Sequence, residues 1–171
     1  RLVDPRQPDA AGAPIASCKH PCRAEPCDLD GDGATDLLVA DLGTFEARDV
    51  QTGRVLWLRQ QPATGQWQTI ELLTGVGRIS DVRAADFDAD GDLDLLVAEF
   101  GWHKTGSVFW LENQGGLPEK PQFTRHDIDA RPGGLHLPIV DLNHDGKSDF
   151  LALMSQDYEE SYMEGITLIE L

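Results

Sequence analysis

Short apolar runs alternate with polar breaks rich in Gly, Asp, Asn and Pro along most of the chain. Leu-Leu-Val-Ala follows Asp36, the same four residues follow Asp94, and Phe-Leu-Ala-Leu follows Asp149. Apolar runs of this length, bounded by turn formers, read as β-strands. A second strand is expected over Thr52-Gly-Arg-Val-Leu-Trp-Leu58 and again over Thr105-Gly-Ser-Val-Phe-Trp-Leu111. A third pairs Trp67-Gln-Thr-Ile-Glu-Leu72 with Phe123-Thr-Arg-His-Asp-Ile128, and a last one leads into the next polar break over residues 78–85 and 134–140. Helical periodicity is nearly absent; its best candidate, residues 156–163, is short and lacks a clear cap.

These pieces recur in the same order, so the chain is an internal repeat. Asp28-Leu-Asp-Gly-Asp-Gly-Ala-Thr-Asp36, Asp86-Phe-Asp-Ala-Asp-Gly-Asp-Leu-Asp94 and Asp141-Leu-Asn-His-Asp-Gly-Lys-Ser-Asp149 begin 58 and 55 residues apart. About four strands per repeat predict an all-β protein built of four-stranded antiparallel propeller blades. With residues 13–27 taken as the last strand of an earlier blade, the chain spans two full blades and parts of two more. Residues 1–12 read as a linker or clipped end, and 13–171 as the repeat region. Closure would then need further blades from the parent chain or a partner chain, since open strand edges invite association.

Charge sharpens the reading of the breaks. The chain carries 30 acidic and 14 basic residues among 171, a formal charge of −16. Twelve of the acids fall in the 27 positions of the three loops. Such crowding is self-repelling unless cations sit within it, and one divalent ion per loop would bring −16 to −10. The overall charge argues against nucleic acid as a partner. No run approaches the ~20 apolar residues of a membrane helix, so insertion is not expected.

The loop spacing specifies the cation. Positions one, three, five and nine carry Asp or Asn: Asp28, Asp30, Asp32 and Asp36; Asp86, Asp88, Asp90 and Asp94; Asp141, Asn143, Asp145 and Asp149. Gly33, Gly91 and Gly146 at position six supply the positive φ of a tight turn. The backbone carbonyl at position seven (Ala34, Asp92, Lys147) can add a further oxygen. Five or six hard oxygens suit Ca²⁺, up to three ions in all, better than octahedral Mg²⁺ or a soft metal. An EF-hand is excluded, because its position-twelve Glu is replaced by Val39, Val97 or Ala152 within a strand-like run. The third loop, with Asn143 and Lys147, is expected to bind most weakly.

The repeated Asp-x-Asp-Gly-Asp-Gly-x-x-Asp-Leu-Leu-Val-Ala pattern resembles the FG-GAP or VCBS repeats of integrin alpha-subunit propellers and of bacterial secreted proteins, over roughly residues 13–171. Val97-Ala-Glu-Phe-Gly-Trp102, Thr105–Asn113 and Val140-Asp-Leu-Asn143 also resemble VCBS-type proteins of environmental bacteria such as planctomycetes. The resemblance implies a propeller of about seven blades, within the range usual for the architecture, with calcium held by the Asp and Asn residues named above. It also implies an extracellular, periplasmic or cell-surface location, where millimolar calcium fills even weak sites.

No enzyme is expected. His20, His103, His126, His136 and His144 show no metal-ligand spacing, and no Gly-x-Ser-x-Gly elbow is present. His126 reads as a packing residue in a strand. Trp57 and Trp110 read as core between blades, and Asp157-Tyr-Glu-Glu160 as a solvated loop. Cys18, Cys22 and Cys27 lack zinc or haem spacing, leaving one local disulfide or three strand residues as the readings. The expected role is a scaffold that presents its loops to a protein or glycan ligand. A lectin-like propeller using Trp102, or an accessory part of a larger exported enzyme, are the alternatives.

Overall fold

The computed structural model describes residues 14–155 and the backbone of 166–169, so residues 1–12, the helical candidate at 156–163 and the acidic stretch at 157–160 lie outside the described residues. The first sheet contains β1 (Pro21–Cys27), β2 (Asp36–Asp41), β3 (Gly53–Gln60) and β4 (Trp67–Val76). The second contains β5 (Ile79–Ala85), β6 (Asp94–Glu99), β7 (Ser107–Asn113) and β8 (Phe123–Asp129). Each is antiparallel with its strands side by side in chain order. The third is partial: β9 (Gly134–His136) and β10 (Ile139–Val140) pair with one side of β11 (Asp149–Met154), and β12 (Ile166–Ile169) with the other. The fold is all-β, and its sheets are those of propeller blades.

The strand that precedes each acidic loop pairs with the strand that follows it. Cys27 faces Asp36, Ala85 faces Asp94 and Val140 faces Asp149, the same register three times. Assigning the strand before a loop to the previous blade is therefore corrected: the loops close hairpins inside a sheet, and the chain holds two complete four-stranded sheets and part of a third. Closing a short loop costs little chain entropy, and antiparallel neighbours need only such a connection. The strand expected over 134–140 is also broken in two. Pro138 has no amide hydrogen to donate to a ladder, and its carbonyl instead accepts from Leu151 N at 3.1 Å.

Alternation along the inner strands stacks the sheets. On β6, Leu95 and Val97 pack towards the first sheet with Leu38, Ala40, Val55 and Trp57. Leu96 and Ala98 point the other way, with Val108, onto Leu137, Phe150, Ala152 and Met154 of the third sheet. Both faces of β2 and β6 are thus covered, which is why these strands read as unbroken apolar runs. Each fully buried Leu, Val or Phe removes enough apolar surface from water to contribute roughly 1.5–3 kcal/mol. The outer strands β4 and β8 mix half-buried and exposed positions and carry the polar surface. On the far side of the first sheet, Val39, Leu56 and Leu58 are covered by Ile15, Ala16 and Cys18 of the segment before β1.

A buried ionic knot joins the first strands of all three sheets. Asp81 on β5 is almost completely buried. Its Oδ2 lies 2.8 Å from His136 Nδ1 and 3.2 Å from Arg83 Nε, and it accepts from Leu137 N at 2.8 Å. Arg83 reaches on to Glu25 of β1 at 3.2 Å, and Arg23 Nε lies 3.6 Å from Asp81. A carboxylate so desolvated must be paired to remain charged, and here its partners come from three sheets.

The cysteines are free thiols. Cys22 and Cys27 share β1, where five residues of strand span ~17 Å, far beyond the ~7 Å that a disulfide bridges. Burial, reinforced by Asp81 and Asp41, pushes the Cys22 thiol up to about 11, and burial with Asp36 pushes Cys27 up to about 12. Both therefore stay protonated thiols at neutral pH.

Candidate metal centres

One template builds all three loops. The position-one carboxylate accepts from the backbone ahead of it: Asp28 from Asp32 N and Gly33 N (3.0 and 2.9 Å), Asp86 from Gly91 N (3.1 Å), Asp141 from Asp145 N and Gly146 N (3.2 and 3.0 Å). Position five accepts from the position-seven amide, at 2.9 Å in each of Asp32–Ala34, Asp90–Asp92 and Asp145–Lys147. These local bonds are what Asp offers a turn. Gly33, Gly91 and Gly146 have φ of 85°, 98° and 87°. Position four is left-handed as well: Gly31 at 68°, but Ala89 at 62° and His144 at 61°. The need for positive φ there was not read from the sequence; the only hint was Gly31.

Position nine is a different kind of residue. Asp36, Asp94 and Asp149 open the strand after the loop and are buried. Each accepts from the position-two amide: Leu29 N at 3.4 Å, Phe87 N at 3.1 Å, Leu142 N at 3.0 Å. Asp36 also accepts from Gln60 N at 2.8 Å and from the Trp57 indole at 2.8 Å. Asp94 accepts from Asn113 N at 2.8 Å. The carboxylate therefore fastens the loop to the third strand of its sheet. Burial pushes both Asp36 and Asp94 above the ordinary aspartate value, opposed by those same donors.

Positions one, three and nine converge. One carboxylate oxygen from each of Asp28, Asp30 and Asp36 lies within 4.8 Å of the others, and the same holds for Asp86, Asp88 and Asp94. Position five stands outside both groups. In the first loop Asp32 Oδ2 is turned to Arg59 instead. Among the described residues the third loop forms no such triad of carboxylates, in keeping with Asn143 at position three.

Each loop also holds one buried carboxylate oxygen without a hydrogen-bond partner: Asp30 Oδ1, Asp86 Oδ1 and Asp149 Oδ1. Leaving a buried charged acceptor unsatisfied is costly. A cation held among hard oxygens removes that cost, so the residues present fit a metal ion. The first two loops lie at the same end of the stacked sheets and rim a polar cleft of about 250 Å³ lined by Asp28, Asp30, Asp92 and Asn113, among others.

Trp57, Trp110 and His126 are absorbed by packing. Trp57 is completely buried and has no face for a sugar. Trp110 stacks on His126 at 4.6 Å, and His126 Nε2 lies 2.7 Å from Glu112 Oε2. Trp102 donates its amide to Thr105 O at 2.9 Å, with the Arg78 guanidinium 5.8 Å from its ring. Sequence reasoning missed Arg59, which ion-pairs with two loop carboxylates. Aligning Trp57-Leu-Arg59 with Trp110-Leu-Glu112 marks that position as the one where the two repeats differ in charge.

Stacked antiparallel sheets whose hairpins carry convergent acidic loops define an acidic-loop repeat protein. More particularly, residues 28–97 match the FG-GAP-like repeat family, from the leading Asp28 of the first loop to Val97 in β6. No curated protein matches the chain. Among the described residues no helix is long and apolar enough to cross a membrane.

Proposed function

We propose that the chain is a calcium-binding propeller-repeat module of an exported protein, acting as a structural and interaction scaffold rather than as an enzyme. The observation that carries this is the recurrence, in three equivalent loops, of a buried carboxylate oxygen with no partner, joined in two of them by a triad of converging Asp side chains. Calcium suits these oxygens because it tolerates irregular coordination at 2.3–2.6 Å, where Mg²⁺ demands a near-ideal octahedron. Up to three ions are proposed. Asp28, Asp30, Asp32 and Asp36 serve the first, Asp86, Asp88, Asp90 and Asp94 the second, and Asp141, Asn143, Asp145 and Asp149 the third. The carbonyls of Ala34, Asp92 and Lys147 complete the sets. The third site is the weakest, with one carboxylate fewer and Lys147 beside it.

An extracellular, periplasmic or cell-surface setting supplies the calcium that such sites need. With the loops neutralised, the end of the sheets that carries the cleft becomes a rigid surface for a protein or glycan ligand. Further blades, from the parent chain or a partner, would continue the stack.

Thermal unfolding with calcium against chelator, paired with calorimetric titration of metal-free protein, tests the reading. A midpoint that rises with calcium, and two or three binding events, support it, because a ligand that binds only the folded state stabilises by mass action. A folded protein that shows neither shift nor binding heat overturns it.

A further inference from the structure

We propose that Arg59 is a built-in counter-cation of the first loop, which holds that loop in shape without metal and makes its calcium site weaker than the second loop's. The inference rests on the calcium reading above. Arg59 lies near the end of β3, and its guanidinium spans two loop carboxylates: Nε to Asp30 Oδ2 at 2.5 Å and Nη2 to Asp32 Oδ2 at 2.7 Å. The side chains involved are largely withdrawn from water, Asp30 only 5% exposed and Arg59 16%. Screening there is weak, so one positive charge offsets much of the repulsion among Asp28, Asp30, Asp32 and Asp36.

The same charge opposes an arriving calcium ion. The opposition is partial, because Asp30 Oδ1 stays buried and unpartnered. Arg59 holds the other oxygen of that carboxylate, so the loop still offers an oxygen to a metal, but beside a fixed cation.

The second loop reverses the arrangement on the same scaffold. The position after Trp110-Leu111 is Glu112, an acid where the first sheet has Arg59. Glu112 pairs with His126 on β8, not with any loop residue. No Lys or Arg approaches a carboxylate of the second loop within ion-pair distance among the described residues. In the absence of metal the second loop's carboxylates therefore have no ion-pair partner among the described residues, whereas two of the first loop's do.

Calorimetric titration of the full chain with calcium chloride, comparing natural protein with Arg59→Gln, each carrying Asp88→Asn and Asp141→Asn to weaken the other two loops, is the test. Removing the guanidinium is expected to tighten the first site by about tenfold or more, while lowering the melting temperature in chelator. Unchanged or weaker calcium binding in Arg59→Gln overturns the proposal, since a guanidinium that only orients Asp30 for the metal would give that result. If the background substitutions prevent folding, Glu112→Arg in the otherwise natural chain replaces them. It is expected to weaken the tightest site about tenfold, and an unaltered tightest site overturns the proposal. A folded natural chain that binds no calcium at any loop brings down the calcium reading itself, and this proposal with it. Calcium binding that ignores residue 59 brings down this proposal alone.

Discussion

The first and second sheets share a backbone plan and differ in how their loops are tied down. In both, the position-nine Asp is buried, opens the second strand and accepts from the third strand and from the loop's second residue. In the first sheet, Trp57 is fully buried and donates to that Asp at 2.8 Å, and Arg59 grips positions three and five. In the second, Trp110 is half-exposed and stacks on His126, and positions three and five face solvent with only backbone donors. Position nine thus belongs to the fold as much as to a metal site. Positions three and five are free to vary in strength from one repeat to the next.

The largest expected break in the comparison is at the tryptophans. Trp57→Ala empties a dry core position and is expected to cost ~3–5 kcal/mol, against ~1–2 kcal/mol for Trp110→Ala, which gives up a partly exposed stack. Urea unfolding of the two variants in chelator measures the difference, and equal losses would contradict it.

Next come the loop carboxylates. Asp36→Ala strands the Trp57 indole and the Gln60 amide, so a loss of ~3 kcal/mol is expected even without calcium. Asp88→Ala removes an exposed group and should cost no more than ~0.5 kcal/mol in chelator, while still abolishing the second site in a calcium titration. If Asp36→Ala matters only when calcium is present, position nine is a ligand and not a fastener.

A pH experiment separates the first sheet again. Burial pushes the Asp41 carboxyl up, but donors from His20, Arg54, Gly43 and Lys19 overcome this and hold it below the ordinary aspartate value. A depressed carboxyl stabilises the fold above its unfolded value, and this contribution drains away as pH falls through the folded value. Asp41→Asn should therefore lose ~2 kcal/mol at neutral pH and show a flatter acid limb than the natural protein in chelator. An acid limb of unchanged slope would assign the transition to other groups.

The smallest effect lies at position four. Ala89 holds a left-handed φ of 62° where the first loop has Gly31 at 68°. Exchanging them, Ala89→Gly and Gly31→Ala, should stabilise and destabilise respectively by ~0.5–1 kcal/mol, read as opposite shifts of the chelator melting temperature.

Much of this protein could be read without coordinates. Apolar runs such as Leu95–Ala98 announced strands, and the all-β class and the antiparallel sheets followed from them. The Asp spacing placed the three loops, because converging alternate side chains about a glycine turn is a local property of nine residues. Blade phase was not legible. The strands flanking a loop carry the same signal whether they pair with each other or across a blade boundary, and only the ladder Cys27–Asp36, Ala85–Asp94, Val140–Asp149 chose between them.

The roles within the loops divide the same way. Sequence alone determined which residues could be ligands and where the chain must take positive φ at Gly33, Gly91 and Gly146, since both depend on residue type and spacing. Tertiary structure decided that Asp36 and Asp94 are buried fasteners, that Asp81 is shared by three sheets, and that Arg59 rather than solvent faces Asp30 and Asp32. Each of these depends on contacts between residues about 20 to 60 apart in the chain. Burial and charge pairing at such separations are set by how the sheets stack and not by any local pattern.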